Sequence, residues 1–327
     1  MNRRTILVGI GACIVVAAGL LAAACLGAKS ISIQTVWDSI FHYEQDLDMM
    51  LVRDSRLPRA ICSVLVGGLL AMAGAMMQGI TRNDIAEPSV MGVTQGAVLA
   101  VAIASVSASV YGVLGNTLAA LIGALISGTL VLLFSMQSAS NMSTARLLLA
   151  GTAISTFFLS MASLVALLGN RSQDLAFWVS GGFRTATWKY VYLLAAAWLI
   201  CAPLSIRMAH KINIVSLGDD VAIGLGVNPT RVRIHTVAVI IPMCAVCVAT
   251  AGNIAFVGLI VPHIARKLLG NDYRRLIPIS MLCGSALLAW ADVAAKMANI
   301  PYETPIGLFS ALLGIPIFIA LVRREKG

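Results

Sequence analysis

Apolar residues in this chain run together in long uncharged blocks rather than alternating with polar ones. The blocks cover residues 5–26, 60–80, 89–108, 115–137, 147–168, 190–206, 276–291 and 304–322, and a longer one covers 234–265. About 20 apolar residues in a helix cross the hydrocarbon of a bilayer. The long block is therefore expected to make two short helices, divided at Gly252-Asn253. The expected fold is all-α: a polytopic membrane protein with ten transmembrane helices, forming a single transmembrane domain over residues 1–327.

Charge sets the orientation. Arg3-Arg4 and Arg323-Arg324-Lys326 place both termini on the cytoplasmic side, which requires an even number of crossings. With ten crossings, Arg82, Arg207, Lys211, Arg231, Arg233, Arg266, Lys267, Arg274 and Arg275 all fall inside. Arg53, Arg56 and Arg59 are the outer exceptions, in an expected outer loop at 29–59. The apolar run after Arg4 is too long for the core of a signal peptide, so a retained first helix is expected.

Composition narrows the function. The chain is 59% hydrophobic and 11% charged, against about a quarter charged in a soluble domain. That charge cannot coat a water-facing surface, which excludes a soluble enzyme. The net charge of +9 then reflects cytoplasmic loops rather than nucleic-acid binding. Seven cysteines lie scattered in the apolar blocks, and Cys244-x-x-Cys247 has no second pair nearby. They read as small hydrophobes, with no metal site expected. Gly67, Ala71, Ala75 and Gly79 recur every four residues, a stripe suited to close helix packing.

Catalytic signatures are missing from the sequence: there is no nucleotide-binding P-loop, HExxH or GxSxG. The one acid inside a block is Asp292, four residues before Lys296 near an outer helix end, where an i, i+4 ion pair is expected. A proton-coupled transporter would more often carry ionisable groups at mid-bilayer.

The segment at about 214–230 is the notable inner element. Ser216 followed by Asp219 resembles a capping box, Gly224 and Gly226 close the helix, and Asn228-Pro229 starts another. Two short helices carrying apolar Leu217, Val221, Ile223 and Leu225 are expected to project into the cytoplasm. Such a surface needs a protein socket or the membrane to lie on.

An ordered set of motifs then stands out. It comprises Arg56-Leu57-Pro58-Arg59, the run from Gln78 to Pro88, Ser143-Thr144-Ala145-Arg146-Leu147-Leu148-Leu149-Ala150-Gly151, the run from Gly218 to Gly226, Gly258-Leu259-Ile260-Val261-Pro262-His263-Ile264-Ala265-Arg266, and Pro305-Ile306-Gly307. The chain resembles the permeases of type II ABC importers, the FecCD-like family that moves ferric siderophores, haem or cobalamin. The resemblance implies a second permease copy, identical or paralogous, two ABC ATPase subunits below and a substrate-binding protein above, in a bacterial cytoplasmic (inner) membrane. It assigns ATPase coupling to Leu217, Gly218, Asp219, Asp220, Ala222, Gly224, Leu225 and Gly226. Docking of the binding protein falls to Arg56, Arg59 and Lys296, and a cytoplasmic gate to Asn83, Ile85, Ser143 and Thr144. Where the family reads Asn-Pro-Leu-Ala, this chain has Asp84 and Ile85 in place of the Pro and Leu. No cofactor is expected on the chain itself, ATP and Mg²⁺ being used by the ATPase. The expected function is therefore the permease subunit of an ATP-driven importer of an iron chelate, not an enzyme. A cobalamin permease of the same family and an ion-coupled secondary transporter are the alternatives.

Overall fold

The computed structural model describes residues 3–88, 92–106, 113–136, 144–300, 302 and 304–325. Among them there are helices and no strand. In chain order the helices are α1 (Arg3–Cys25), α2 (Ile33–Phe41), α3 (Leu47–Leu51), α4 (Leu57–Thr81), α5 (Val93–Val106), α6 (Val113–Met136) and α7 (Thr144–Leu168). They continue as α8 (Ser172–Ser180), α9 (Trp188–Ser216), α10 (Asp219–Gly224), α11 (Pro229–Ala251), α12 (Val257–Leu269), α13 (Tyr273–Met297) and α14 (Ile306–Glu325). Seven helical stretches among the described residues are long and apolar enough to cross a membrane. The other three expected crossings fall on α5, on α12 and on the apolar first part of α14.

Two expected loops are helical instead. The segment 29–59, expected outside, contains α2 and α3, and α3 passes through a π-turn at Val52–Arg56 directly into α4, giving one stretch of 35 residues. Pro58 lacks the N–H that a continuous α-helix would use, and a wider turn just before it absorbs the missing bond. At the end expected inside, α9 runs ten residues past its expected end at 206, to Ser216. The break at Gly252-Asn253 is where the sequence puts it: α11 ends at Ala251, and Gly252 (φ 66°) starts the turn toward α12.

Helix α4 forms the core. It packs against α13, α9, α11 and α12, and Leu69, Met72, Met76, Met77 and Ile80 are fully buried among them. A helix apolar on every face belongs inside a larger bundle. By contrast, Leu7 and Ile14 of α1 and Leu167 and Leu168 of α7 are exposed, as lipid-facing side chains would be. The stripe of small residues is a packing seam: a Cβ on Gly67 would overlap the Gly284 carbonyl of α13. A Cβ on Gly74 would likewise overlap the Gly258 backbone of α12. Backbones that approach this closely leave no room for a side chain.

Candidate functional site: two charged clusters and an exposed inner helix

Charged side chains gather at both ends of α4. Arg59 and Arg82 are 23 positions apart in sequence, so along a helix they lie about 35 Å from one another. That is close to the thickness of a bilayer's hydrocarbon core.

At the end expected outside, Arg59 donates from Nε to Asp292 of α13 at 2.9 Å, and Lys296 Nζ pairs with the same carboxylate at 2.8 Å. Asp292 is fully buried, while Arg59 and Lys296 are 7% and 9% exposed. Lys296 also reaches the Ala23 carbonyl of α1 at 3.4 Å. Arg56, equally buried, donates to the carbonyls of Ala24 and Cys25 at 2.9 Å and to that of Lys29. Its guanidinium thus terminates α1 by satisfying carbonyls that have no helical partner. Arg53 lies 4.6 Å over the Tyr43 ring, and its carbonyl accepts a bond from Trp188 Nε1 at 3.0 Å. The cations that break the charge bias are therefore internal ties, set on a helix rather than in the loop expected from the sequence. The Asp292–Lys296 pair is present as expected, with Arg59 as a third member that sequence spacing could not supply.

At the opposite end, Asp219 accepts two bonds from Arg233 of α11, at 2.7 and 3.0 Å, and lies 3.5 Å from Arg82. Arg233 also donates from Nε to the Ile80 carbonyl of α4 at 3.2 Å. Asp219 thus joins α10 to the ends of α4 and α11. Asp220 faces away and is exposed. Ala222 is buried beneath the helix, whereas Leu217, Val221, Ile223 and Leu225 are 67%, 46%, 64% and 60% exposed. Gly218 and Gly226, with φ of 129° and 75°, make the turns into and out of the segment.

This geometry corrects the capping reading. Ser216 is the last residue of α9 and donates back to the Asn213 carbonyl at 2.7 Å, so it does not cap α10. Gly218 is the N-cap, and its positive φ makes the reversal that a serine cap would not. Asn228 does cap a helix, accepting from Arg231 N at 3.0 Å, with Pro229 in the first turn. That helix is α11, a 23-residue crossing rather than a second short cytoplasmic helix. A single short helix, α10, therefore carries the exposed apolar face.

The expected gate residues lie beside this cluster. Arg82 (φ 52°) ends α4, and Asn83 Oδ1 then accepts from Ile85 N at 3.0 Å, closing a tight turn with Ile85 half-buried. Thr144 is the first residue of α7, while Ser143 and the Thr144 side chain lie outside the described residues. Sequence reasoning missed Gln78, Glu87, Arg82, Arg233 and Arg266. The only available signal was that these polar residues sit at the edges of apolar blocks, because their partners are distant in sequence. Among the described residues no cluster of His, Cys, Asp and Glu could hold a metal ion, and Cys244 and Cys247 are buried free thiols.

A bundle of apolar helices, a charged tie at each end of its central helix and an exposed apolar knuckle on α10 define a polytopic α-helical membrane protein. The FecCD transport family model matches residues 14–324, and the chain belongs to that family. It is similar to the iron(3+)-hydroxamate import system permease protein FhuB of Bacillus subtilis, 41% identical over 92% of this chain and 79% of the relative. It is also similar to the Fe(3+) dicitrate permease FecC of Escherichia coli (36% identity, 84% and 83% covered). The hemin permease HmuU of Yersinia pestis matches at 32% identity, with 94% and 92% covered. A solved structure described as an inward-facing conformation of a metal-chelate type ABC transporter superposes with a TM-score of 0.84. It is 27% identical, covering 97% of this chain and 98% of that one. The chain is accordingly a membrane transport protein of the FecCD family.

Proposed function

We propose that this chain is the membrane-spanning subunit of an ATP-driven importer that carries a ferric chelate across a bacterial cytoplasmic membrane. It crosses ten times with both termini inside, pairs with a second permease copy and receives its cargo from a substrate-binding protein. Two ABC ATPase subunits, which use ATP and Mg²⁺, grip the coupling segment at about 214–230. The observation that carries this reading is α10. Its apolar side chains are 46–64% exposed at Val221, Ile223 and Leu225, while Asp219 ties the helix to two crossings. A face of that kind suits a protein socket, and its rigid mounting suits transmission of movement.

At the outer end, Arg56, Arg59 and Lys296 exceed Asp292 by two positive charges. We assign these cations to docking of the binding protein through the positive field they create, since their side chains are already engaged within the chain. Asn83, Ile85, Ser143 and Thr144 are assigned to the cytoplasmic gate. Ferric cargo is favoured because the relatives named above are permeases for ferric hydroxamate, ferric citrate and haemin.

The test is reconstitution in proteoliposomes with the cognate ATPase and binding protein, following ⁵⁵Fe presented as ferric hydroxamate, ferric citrate or haemin. Uptake that requires both partners and ATP is expected. Accumulation by the chain alone under an ion gradient would overturn the proposal in favour of a secondary transporter.

A further inference from the structure

The half-length helix α12 is held to α4 and its following loop at three heights. At its start, the Glu87 carboxylate accepts from Phe256 N, capping α12 where Phe256 adopts a left-handed conformation (φ 69°). Along its first turn, the Gln78 amide nitrogen donates to the Gly258 and Leu259 carbonyls at 3.4 and 3.2 Å. Near its end, Arg266 reaches Gln78 Oε1 from Nη2 at 3.0 Å and Asp84 Oδ1 from Nη1 at 2.6 Å. Asp84 stands on the same five-residue loop as Asn83, Ile85 and Glu87, immediately after Arg82, which faces Asp219 of α10.

Burial separates these ties by strength. The Arg266 side chain is 12% exposed and the Asp84 side chain 52% exposed. An ion pair with one member half in water is weak and readily exchanged, whereas the Glu87 and Gln78 bonds are more enclosed. The loop thus has one firm attachment at its far end and one breakable attachment at its near end, beside the coupling helix.

We infer that Asp84 and Arg266 are positioning residues that latch the gate loop onto α12, and that displacement of α10 reaches this latch through Asp219 and Arg82. The inference rests on the permease reading. Release of the pair frees the loop around Asn83 and Ile85 while Glu87 keeps its far end attached to α12. Asp84 supplies the charge on this loop that is set against Arg266.

Accessibility of the loop tests the latch without cargo or ATPase. Ala86, 2% exposed, is replaced by Cys, and its modification by a membrane-impermeant maleimide is timed in inside-out and right-side-out vesicles, with the site read by peptide mass spectrometry. Asp84→Asn and Arg266→Gln should each speed labelling about fivefold, a change within reach of losing one partly exposed pair. Asp84→Glu should remain slow. Single variants that label like the parent, or Asp84→Glu labelling as fast as Asp84→Asn, would overturn the latch. Asp84→Asn alters a half-exposed side chain and keeps the test decisive should Arg266→Gln fail to insert. Failure of the transport proposal would appear differently, as absent uptake or as labelling confined to the opposite vesicle orientation.

Discussion

The Asp219 carboxylate faces the Arg233 guanidinium of α11 in a two-bond pairing, at 2.7 and 3.0 Å, rather than facing the solvent where a docking partner would stand. The residue next to it, Asp220, is exposed. Two acids that look equivalent in sequence therefore have different surroundings, one fastening α10 to the bundle and the other exposed.

Asp219→Asn should destabilise the permease by about 2 kcal/mol, because it weakens two charge-assisted bonds to a buried arginine. Asp220→Asn should change stability by less than about 0.5 kcal/mol, as expected for a surface substitution. Thermal unfolding of the detergent-solubilised chain measures both, and equal shifts would refute the division of labour.

Ile223→Asp or Leu225→Asp should leave the unfolding midpoint of the isolated permease unchanged, since both side chains are already at least 60% exposed. Each should abolish co-purification of the cognate ATPase. An apolar contact in a protein socket does not tolerate an unpaired charge. Retention of a stoichiometric ATPase would show that the subunit docks elsewhere.

At the outer cluster the sign of the charge balance matters. Asp292→Asn leaves Arg59 and Lys296 confined together without their counterion, a loss of about 3–5 kcal/mol for a broken buried pair. Lys296→Met leaves the Arg59–Asp292 bond at 2.9 Å intact and should cost much less. Comparing the two midpoints checks the order, and a larger loss for Lys296→Met would show that the cluster is wrongly balanced as described.

Asp272 supplies a pH dependence. Burial pushes its carboxyl upward, but bonds from Asn213 Nδ2 at 2.7 Å and Arg274 N at 3.1 Å, with the charges of Arg275 and Arg274, outweigh this and hold it below its ordinary value of 3.8. A carboxyl depressed in the folded state contributes stability above its unfolded pKa, and that contribution is lost as pH falls through the folded value. The tie between α9 and α13 should therefore persist at pH 5 and weaken below about pH 4. Asp272→Asn should remove this component from the acid side of a pH-dependent unfolding series. An unchanged acid limb would refute it.

Much of the architecture was legible along the chain because lipid imposes a simple rule: backbone polar groups must be paired within the crossing segment. Uncharged blocks therefore read directly as helices, and the break at Gly252 was visible because a block of 32 residues is too long for one crossing. The exposed apolar side chains of Leu217, Ile223 and Leu225 were legible for a related reason, since they stand near charged residues outside the apolar blocks. The ties were not legible. Arg59 meets Asp292 across 233 positions, and Gln78 meets Arg266 across 188.

Hydropathy along the chain was enough to determine an all-α polytopic membrane fold and the place of its apolar helices. Tertiary structure decided which charged groups are buried, which of the two adjacent acids at 219–220 turns inward, and that the outer arginines are engaged within the chain. The physical reason is range: hydrophobic transfer acts on each segment separately, whereas a buried charge is tolerable only beside a counterion that the packed bundle delivers from elsewhere in the sequence.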